Sequence, residues 1–316
     1  MFASCPCFGA CGVLCDANDL GRSPTRLGGE PGVVTKNSRV PTPRSPLRDP
    51  GGAFEQRLSG KVSSGQKFLA VYVTAGLPDV KHFEPLVERV AAAGADIVEI
   101  GIPFSDPIMD GPVIQRASKR ALESGVTPPW ALESASRIAS LCGSDVDLVV
   151  MTYSNLAFRM GFTSFSRELA AAGVGGVILA DLPLEESELW ENAAMEAGVA
   201  PVLLAAPNCS DERLARVASR SRGFVYGISL LGVTGARKTV SEMAKEIGER
   251  LKRVSDVPVG VGIGISSGSH AAEVAAHCDG VIVGSALVQR ILDAEDPVAA
   301  IEAAESFVAE LRGALS

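Results

Sequence analysis

The chain has 316 residues, of which 47% are hydrophobic and 21% charged, so it is long enough to bury a substantial core. Its formal net charge is −8 and no basic stripe runs along it, which argues against a nucleic-acid partner. No apolar run reaches the ~18 residues that a bilayer-spanning helix needs, so we expect no membrane protein. Three scattered histidines, His82, His270 and His277, leave little for a histidine-based metal site, and we expect no metal.

Residues 1 to about 60 are rich in Gly, Pro, Ser and Arg and show no helix or strand periodicity, so we expect a disordered N-terminal extension. Four of the seven cysteines lie among the first fifteen residues, at spacings unlike those of zinc sites. The segment could be a targeting peptide, although it is unusually acidic for one. Unpatterned cysteines in the rest of the chain favour a reduced compartment. We expect the cytoplasm, with a plastid as the alternative if the leader is a transit peptide.

The folded domain, expected over 61–316, shows short apolar segments alternating with amphipathic helical patterns. Such continuous apolar runs are typical of strands buried on both faces of a parallel sheet. The predicted strands are Phe68–Ala75, Asp96–Gly101, Asp147–Tyr153, Gly176–Asp181, Pro201–Ala205, Gly223–Ser229, Pro258–Gly262 and Gly280–Val283. Eight strand–helix units in roughly 250 residues predict an α/β fold, a (β/α)8 TIM barrel. A doubly wound open sheet is the alternative, but it would usually need fewer strands for this length.

In such a barrel the functional residues lie at the carboxyl ends of the strands. Glu99 lies inside the second predicted strand with apolar residues on both sides. Burial of a carboxylate costs free energy unless the group is paired or used, and it raises the pKa toward neutrality, which suits proton transfer. The alternative is a structural salt bridge, but no predicted strand interior carries Lys or Arg. Glu99 is therefore the first candidate catalytic residue.

The loop that follows, 103–112, is dense in proline and carries two aspartates. Asp110 precedes Gly111-Pro112 and a helical pattern, so it is placed either to reach over the barrel mouth or to cap that helix. Asp106, directly before a proline, is expected to stabilise a turn.

Glycine turns close the last two predicted strands, at Gly262 to Gly264 and at Gly284-Ser285. Glycine there lets backbone N–H groups approach a phosphate, although it could also serve only tight strand ends. The segment 232–239, with two glycines, two threonines and two cations, is expected to act as a lid but lacks the P-loop frame. No strand-end lysine suits a Schiff base. The residues thus predict a cofactor-free phosphate-ester enzyme that moves protons with two carboxylates.

The segment Glu99 to Gln115, EIGIPFSDPIMDGPVIQ, resembles the α subunit of tryptophan synthase, and similarity extends over about 65–290. The resemblance implies retro-aldol cleavage of indole-3-glycerol phosphate to indole and glyceraldehyde 3-phosphate. Glu99 would shuttle the proton and Asp110 would stabilise the indole N–H. The resemblance also implies a set of substrate-binding residues: Tyr72, Tyr153 and Ile178 around indole, Tyr226 near Glu99, Thr234 in the lid, and Gly235, Ile263, Gly264, Gly284 and Ser285 at the phosphate.

The resemblance further implies a partner, a β subunit that carries pyridoxal phosphate and joins this chain in an α2β2 tetramer. No cofactor is expected in this chain itself. Docking would fall on the loop 103–112, the loop around Asn155 and the lid. Two alternatives stay open: another phosphate-binding barrel isomerase or synthase, and a non-catalytic activator of a β subunit.

Overall fold

Parallel strands surrounded by helices form the body of the protein in the computed structural model, which describes residues 49–144, 146–228, 240–262 and 264–316. Residues 1–48 of the predicted leader and the predicted lid, 232–239, lie outside these ranges. No helix in the described ranges is long and apolar enough to cross a bilayer.

The described strands are β1 (Phe68–Thr74), β2 (Ile97–Gly101), β3 (Asp147–Thr152), β4 (Gly176–Leu179), β5 (Ala200–Pro201), β6 (Leu203–Ala205), β7 (Val225–Ile228), β8 (Val259–Gly262) and β9 (Gly280–Val283). The described helices are α1 (Pro50–Ser63), α2 (Phe83–Ala92), α3 (Pro112–Glu123), α4 (Pro128–Cys142), α5 (Ser154–Met160), α6 (Phe162–Ala171), α7 (Glu188–Glu196), α8 (Asp211–Arg220), α9 (Val240–Lys252), α10 (Gly268–Ala275), α11 (Ser285–Asp293) and α12 (Pro297–Ala314). Each predicted strand is present within a few residues of its expected bounds.

The sheet order is β5-β4-β3-β2-β1-β9-β8-β7-β6, with every pair parallel. Its two outermost members, β5 and β6, are consecutive pieces of the predicted fifth strand. The break falls at Val202, whose N–H still donates to Val177 across to β4, at 2.9 Å. One piece pairs with β4 and the other with β7, so the sheet curls into a nearly closed barrel. The predicted (β/α)8 fold is confirmed.

Helix α1 begins at Pro50, inside the segment that the sequence analysis assigns to the leader. Asp49 caps the helix by accepting the Gly52 N–H at 2.9 Å. Phe54 and Leu58 are buried at the amino-terminal end of the barrel, where the Phe54 ring meets Phe224 edge to face. The prediction missed this helix because two glycines and the neighbouring leader composition obscure its short apolar face.

Two ion pairs add to this packing of α1 beneath the barrel. Arg57 pairs with Asp147 at the start of β3, and Lys61 lies 2.7 Å from Asp96, just before β2.

Successive side chains of β2 point alternately into the two layers of the core. Val98 and Ile100 pack toward the surrounding helices, whereas Ile97 faces the interior of the barrel. Glu99 shares the parity of Ile97 and lies opposite Tyr72 of β1 in the strand register. The glutamate therefore points into the barrel near its carboxyl-terminal end. Two positions further along β2, Gly101 leaves room for the Tyr72 side chain, because a Cβ at position 101 would lie 2.0 Å from the Tyr72 hydroxyl.

Candidate active site

A cavity of about 480 Å³ opens at the carboxyl ends of the strands. Its wall is formed by residues of strands β1, β2, β3, β7 and β9 and by the loops after β2, β8 and β9. Among the predicted site residues, its lining includes Tyr72, Glu99, Asp110, Tyr226, Gly264, Gly284 and Ser285. The two candidate carboxylates and the two glycine turns therefore share one chamber.

Glu99 is only 1% exposed, and its Oε1 atom has no hydrogen-bond partner within the described residues. Burial raises the pKa of this carboxyl from 4.5 to about 8, because the ionised form would lose its hydration. The side chain is thus protonated near neutral pH. A carboxylic acid in a cavity, with no ion-pair partner among the residues that the structure describes, favours the functional interpretation over the salt-bridge alternative.

Two tyrosines lie on either side of Glu99 in the cavity wall. Burial raises the pKa of both Tyr72 and Tyr226, and the charge of Glu99 raises each further. Both phenols therefore stay neutral over the physiological range. Tyr226 also requires Gly262 on the neighbouring strand, since a Cβ there would lie 2.7 Å from its hydroxyl.

Asp110 is not the cap of α3, which resolves the alternative left open by the sequence. The N-cap residue is Gly111, and no side chain caps the helix. The Tyr153 hydroxyl lies near the Asp110 carboxyl group instead. Burial raises the pKa of Asp110, and the polar Tyr153 hydroxyl partly offsets that rise.

Tyr153 holds the loop that carries Asp110. Its hydroxyl also accepts the Met109 N–H at 3.0 Å, and its ring stacks on Phe104 with centroids 4.9 Å apart. Tyr153 is not among the residues that line the cavity. No sequence pattern signals its contacts with the loop, and its place against indole stays a prediction.

The opposite side of the cavity offers backbone N–H groups. Helix α11 begins there with Gly284 as its N-cap, and no side chain caps the helix. Its first-turn N–H groups and the positive end of the helix dipole are suited to an anion. Gly264, with φ of +53°, lines the same side in a conformation that favours glycine.

The remaining predicted residues divide into two groups. Ile178 is fully buried in the barrel interior and is not part of the cavity lining. Thr234, Gly235 and Ile263 lie outside the described residues. The cavity also uses residues that sequence reasoning missed: Met151, Ile265, Ser266 and Ile282. Strand parity could have identified Met151, which shares its face with Val149. Within the described ranges, no group of three or more metal-ligating side chains occurs.

Fold and cavity together define a (β/α)8-barrel protein with a buried carboxyl group in a cavity at the carboxyl-terminal end of the barrel. A family model described as tryptophan synthase alpha chain matches residues 59–315. The tryptophan synthase alpha chain of Thermobifida fusca is 44% identical over 261 residues, which are 82% of this chain and 96% of that protein. The corresponding chain of Mycobacterium marinum is 47% identical over 222 residues, covering 70% of this chain and 81% of that one.

Solved structures agree with these relatives. A chain of tryptophan synthase from M. tuberculosis superposes with a TM-score of 0.73 at 37% identity, over 83% of this chain and 97% of that one. Tryptophan synthase subunit alpha from Legionella pneumophila gives a TM-score of 0.76 at 31% identity, over 83% and 98% of the two chains. This chain belongs to the tryptophan synthase alpha chain family.

Proposed function

We propose that this chain cleaves indole-3-glycerol phosphate to indole and glyceraldehyde 3-phosphate by a retro-aldol step. The observation that carries the proposal is Glu99, a buried carboxyl group whose Oε1 atom has no hydrogen-bond partner among the described residues, in the same cavity as the N-terminus of α11. A substrate with an aromatic end and a phosphate end could reach both.

Glu99 would begin the reaction as an acid, since its pKa of about 8 leaves it protonated near neutral pH. It would give its proton to C3 of the indole ring, and the positive charge would develop on the ring nitrogen. The Glu99 carboxylate would then take the proton of the glycerol hydroxyl. The carbon–carbon bond would break, its electron pair would return to the ring, and the hydroxyl carbon would become the aldehyde carbonyl. Glu99 ends protonated, so the step balances.

Asp110 would stabilise the ring nitrogen as its charge develops. A carboxylate is suited to this task when it is held in place before the reaction, because it then needs no reorganisation. The Met109 N–H donates to the Tyr153 hydroxyl at 3.0 Å, and this bond holds the loop that carries Asp110. At the other end, N–H groups at Gly284, Ser285 and Gly264 would bind the phosphate, and Gly235, Ile263 and Thr234 are proposed to complete the site from outside the described residues.

A β subunit carrying pyridoxal phosphate is the proposed partner, in an α2β2 tetramer. Apolar side chains near the barrel mouth support a docking surface: Ile108 is 81% exposed, Phe158 55% and Leu189 74%. All three follow the carboxyl ends of their strands. The cofactor is proposed for the partner alone. The described cysteines Cys142, Cys209 and Cys278 are free thiols, which supports the cytoplasm as the proposed compartment.

The proposal is tested by mixing the purified chain with indole-3-glycerol phosphate and measuring indole release, with and without a β subunit. Glu99→Gln should lower kcat by ~10²-fold or more while substrate binding persists, because the variant loses only the transferable proton. Glu191→Gln is the matched control. Glu191 is also buried, but it pairs with Arg220 between α7 and α8, away from the cavity lining.

Near-normal indole release by Glu99→Gln would refute the assigned role. If the unaltered chain released no indole yet accelerated a β subunit, it would be a non-catalytic activator. If it did neither, another phosphate-binding barrel activity would replace the proposal.

A further inference from the structure

We infer that Asp181 is a positioning residue for Asp110, acting through Ser154 and Tyr153. This inference deepens the proposed function and rests on it. Asp181 follows β4, whereas Asp110 belongs to the loop after β2. The link between them passes through the start of α5, which follows the intervening strand β3.

The first link is a helix cap supplied from a neighbouring strand. The residue before α5, Tyr153, makes no side-chain cap bond of its own. Instead the Asp181 carboxylate accepts the Ser154 N–H at 2.6 Å and the Ser154 hydroxyl at 3.0 Å. Ser154 is 8% exposed, so these two bonds lie in a largely dry setting and fix the backbone where α5 begins.

The second link runs from that backbone to the catalytic loop. Tyr153 directly precedes Ser154, and its hydroxyl accepts the N–H of Met109, the residue before Asp110, at 3.0 Å. Burial, with the charges of Asp110 and Asp181, raises the pKa of Tyr153 to about 12, so the phenol stays neutral. A shift of the Tyr153 backbone would move this anchor and, with it, the loop that carries Asp110.

Asp181 itself is not in the cavity lining, so its role is indirect. Tyr153 lies between a strand and a helix and has an extended backbone, with φ of −92° and ψ of 146°. The bonds of Asp181 hold the chain in place at this junction. Small displacements of a reacting group are costly: about 1 Å can lower a rate on the order of 10²-fold.

The test compares Asp181→Ala with Asp181→Asn in the full chain. The alanine variant loses both bonds and should lower kcat for indole release roughly tenfold with little change in KM, since the phosphate end is untouched. The asparagine variant keeps one oxygen for the Ser154 N–H, so its kcat should lie between those of the alanine variant and the unaltered chain.

Asp296→Ala is the matched control. Asp296 caps α12 by accepting the Val298 and Ala299 N–H groups at 2.8 and 2.9 Å, away from the cavity lining. It should lower Tm much as Asp181→Ala does but leave kcat unchanged.

A second readout is independent of activity. The chain has three tyrosines, Tyr72, Tyr153 and Tyr226. Labelling of the phenol carbons therefore gives three NMR signals, which tyrosine-to-phenylalanine variants assign. The Tyr153 signal should shift in both Asp181 variants and stay in place in Asp296→Ala.

An unmoved Tyr153 signal, or a kcat no lower than that of the Asp296 control, would overturn the inference. If Asp181→Ala does not fold, Asp181→Asn supplies both measurements. If the unaltered chain releases no indole, the proposed function fails, and the Tyr153 signal still decides whether Asp181 positions that ring.

Discussion

The Glu99 carboxyl group lowers the stability of the fold when it ionises. Its pKa in the folded state is about 8, against 4.5 for the same group in water, because burial penalises the charge. Between these two values the folded protein holds a proton that the unfolded chain has released. The free energy of unfolding therefore falls as pH rises through this window and changes no further above it.

Glu99→Gln removes this dependence, because an amide does not titrate. We compare the free energies of unfolding of the variant and of the unaltered chain at about pH 5 and at about pH 9. The difference should shift in favour of the variant by a few kcal/mol at the higher pH, at ~1.4 kcal/mol per unit of pKa shift. Urea unfolding at both pH values measures this change. Equal differences at the two pH values would show that Glu99 titrates normally in the fold.

At the residue scale, the sequence indicates which carboxyl groups to consider but not their contacts. Glu99 stands out because a charge interrupts an apolar strand, and Asp110 because a rigid loop carries it. The bond between the Met109 N–H and the Tyr153 hydroxyl depends on how two separate loops meet, which spacing along the chain does not encode. Ile178 is not among the lining residues, and the resemblance that named it does not give its height in the barrel.

At the scale of elements, α1 acts as the floor of the barrel. Phe54 contacts residues at the amino ends of several strands, and a Cβ at Gly223 would lie 2.3 Å from its ring. Strand β1 and the segment before β7 complete this lower cluster through Phe68 and Phe224, whose rings are 5.5 Å apart. Phe54, Phe68 and Phe224 do not line the cavity, although Ile282 and Tyr226 belong to both the cluster and the cavity wall.

Phe54→Ala should destabilise the protein by about 3–5 kcal/mol, because it removes a fully buried ring and leaves a cavity. Indole release at low temperature should persist, since the catalytic chamber lies at the other end. Chemical denaturation followed by circular dichroism gives the free energy of unfolding. Val298→Ala, at a 58% exposed position, is the control and should change stability little. A similarly small loss for Phe54→Ala would mean that α1 does not contribute to the core.

The strand prediction succeeded because the strands are largely apolar on both faces and most of them lie next to glycine or proline. The break at Val202 was not predictable, since it arises where the closing strand must pair with β4 on one side and β7 on the other. Helix α1 was missed because its burial depends on the barrel end that it covers rather than on its own periodicity.

At the scale of the whole molecule, the two ends of the barrel carry different surfaces. The amino-terminal end is closed by α1 and its ion pairs. The carboxyl-terminal end combines the cavity with exposed apolar side chains on three successive connections. Exposed apolar patches of this kind mark interaction sites, and their position beside the cavity suits a partner that receives the product.

Phe158 provides the sharpest test of that surface. It lies on α5, is 55% exposed and is not in the cavity lining. Its ring packs at a tilt of 43° against Phe162, with centroids 5.0 Å apart. Phe158→Asp should weaken binding of a β subunit at least tenfold, because a buried, unpaired charge at an interface costs more than the ~1.4 kcal/mol that a factor of ten represents. Leu141→Asp is the matched control: Leu141 is 56% exposed but ends α4 at the opposite end of the barrel. Calorimetric titration with the β subunit should separate the two variants, and equal affinities for them would place the partner on another face.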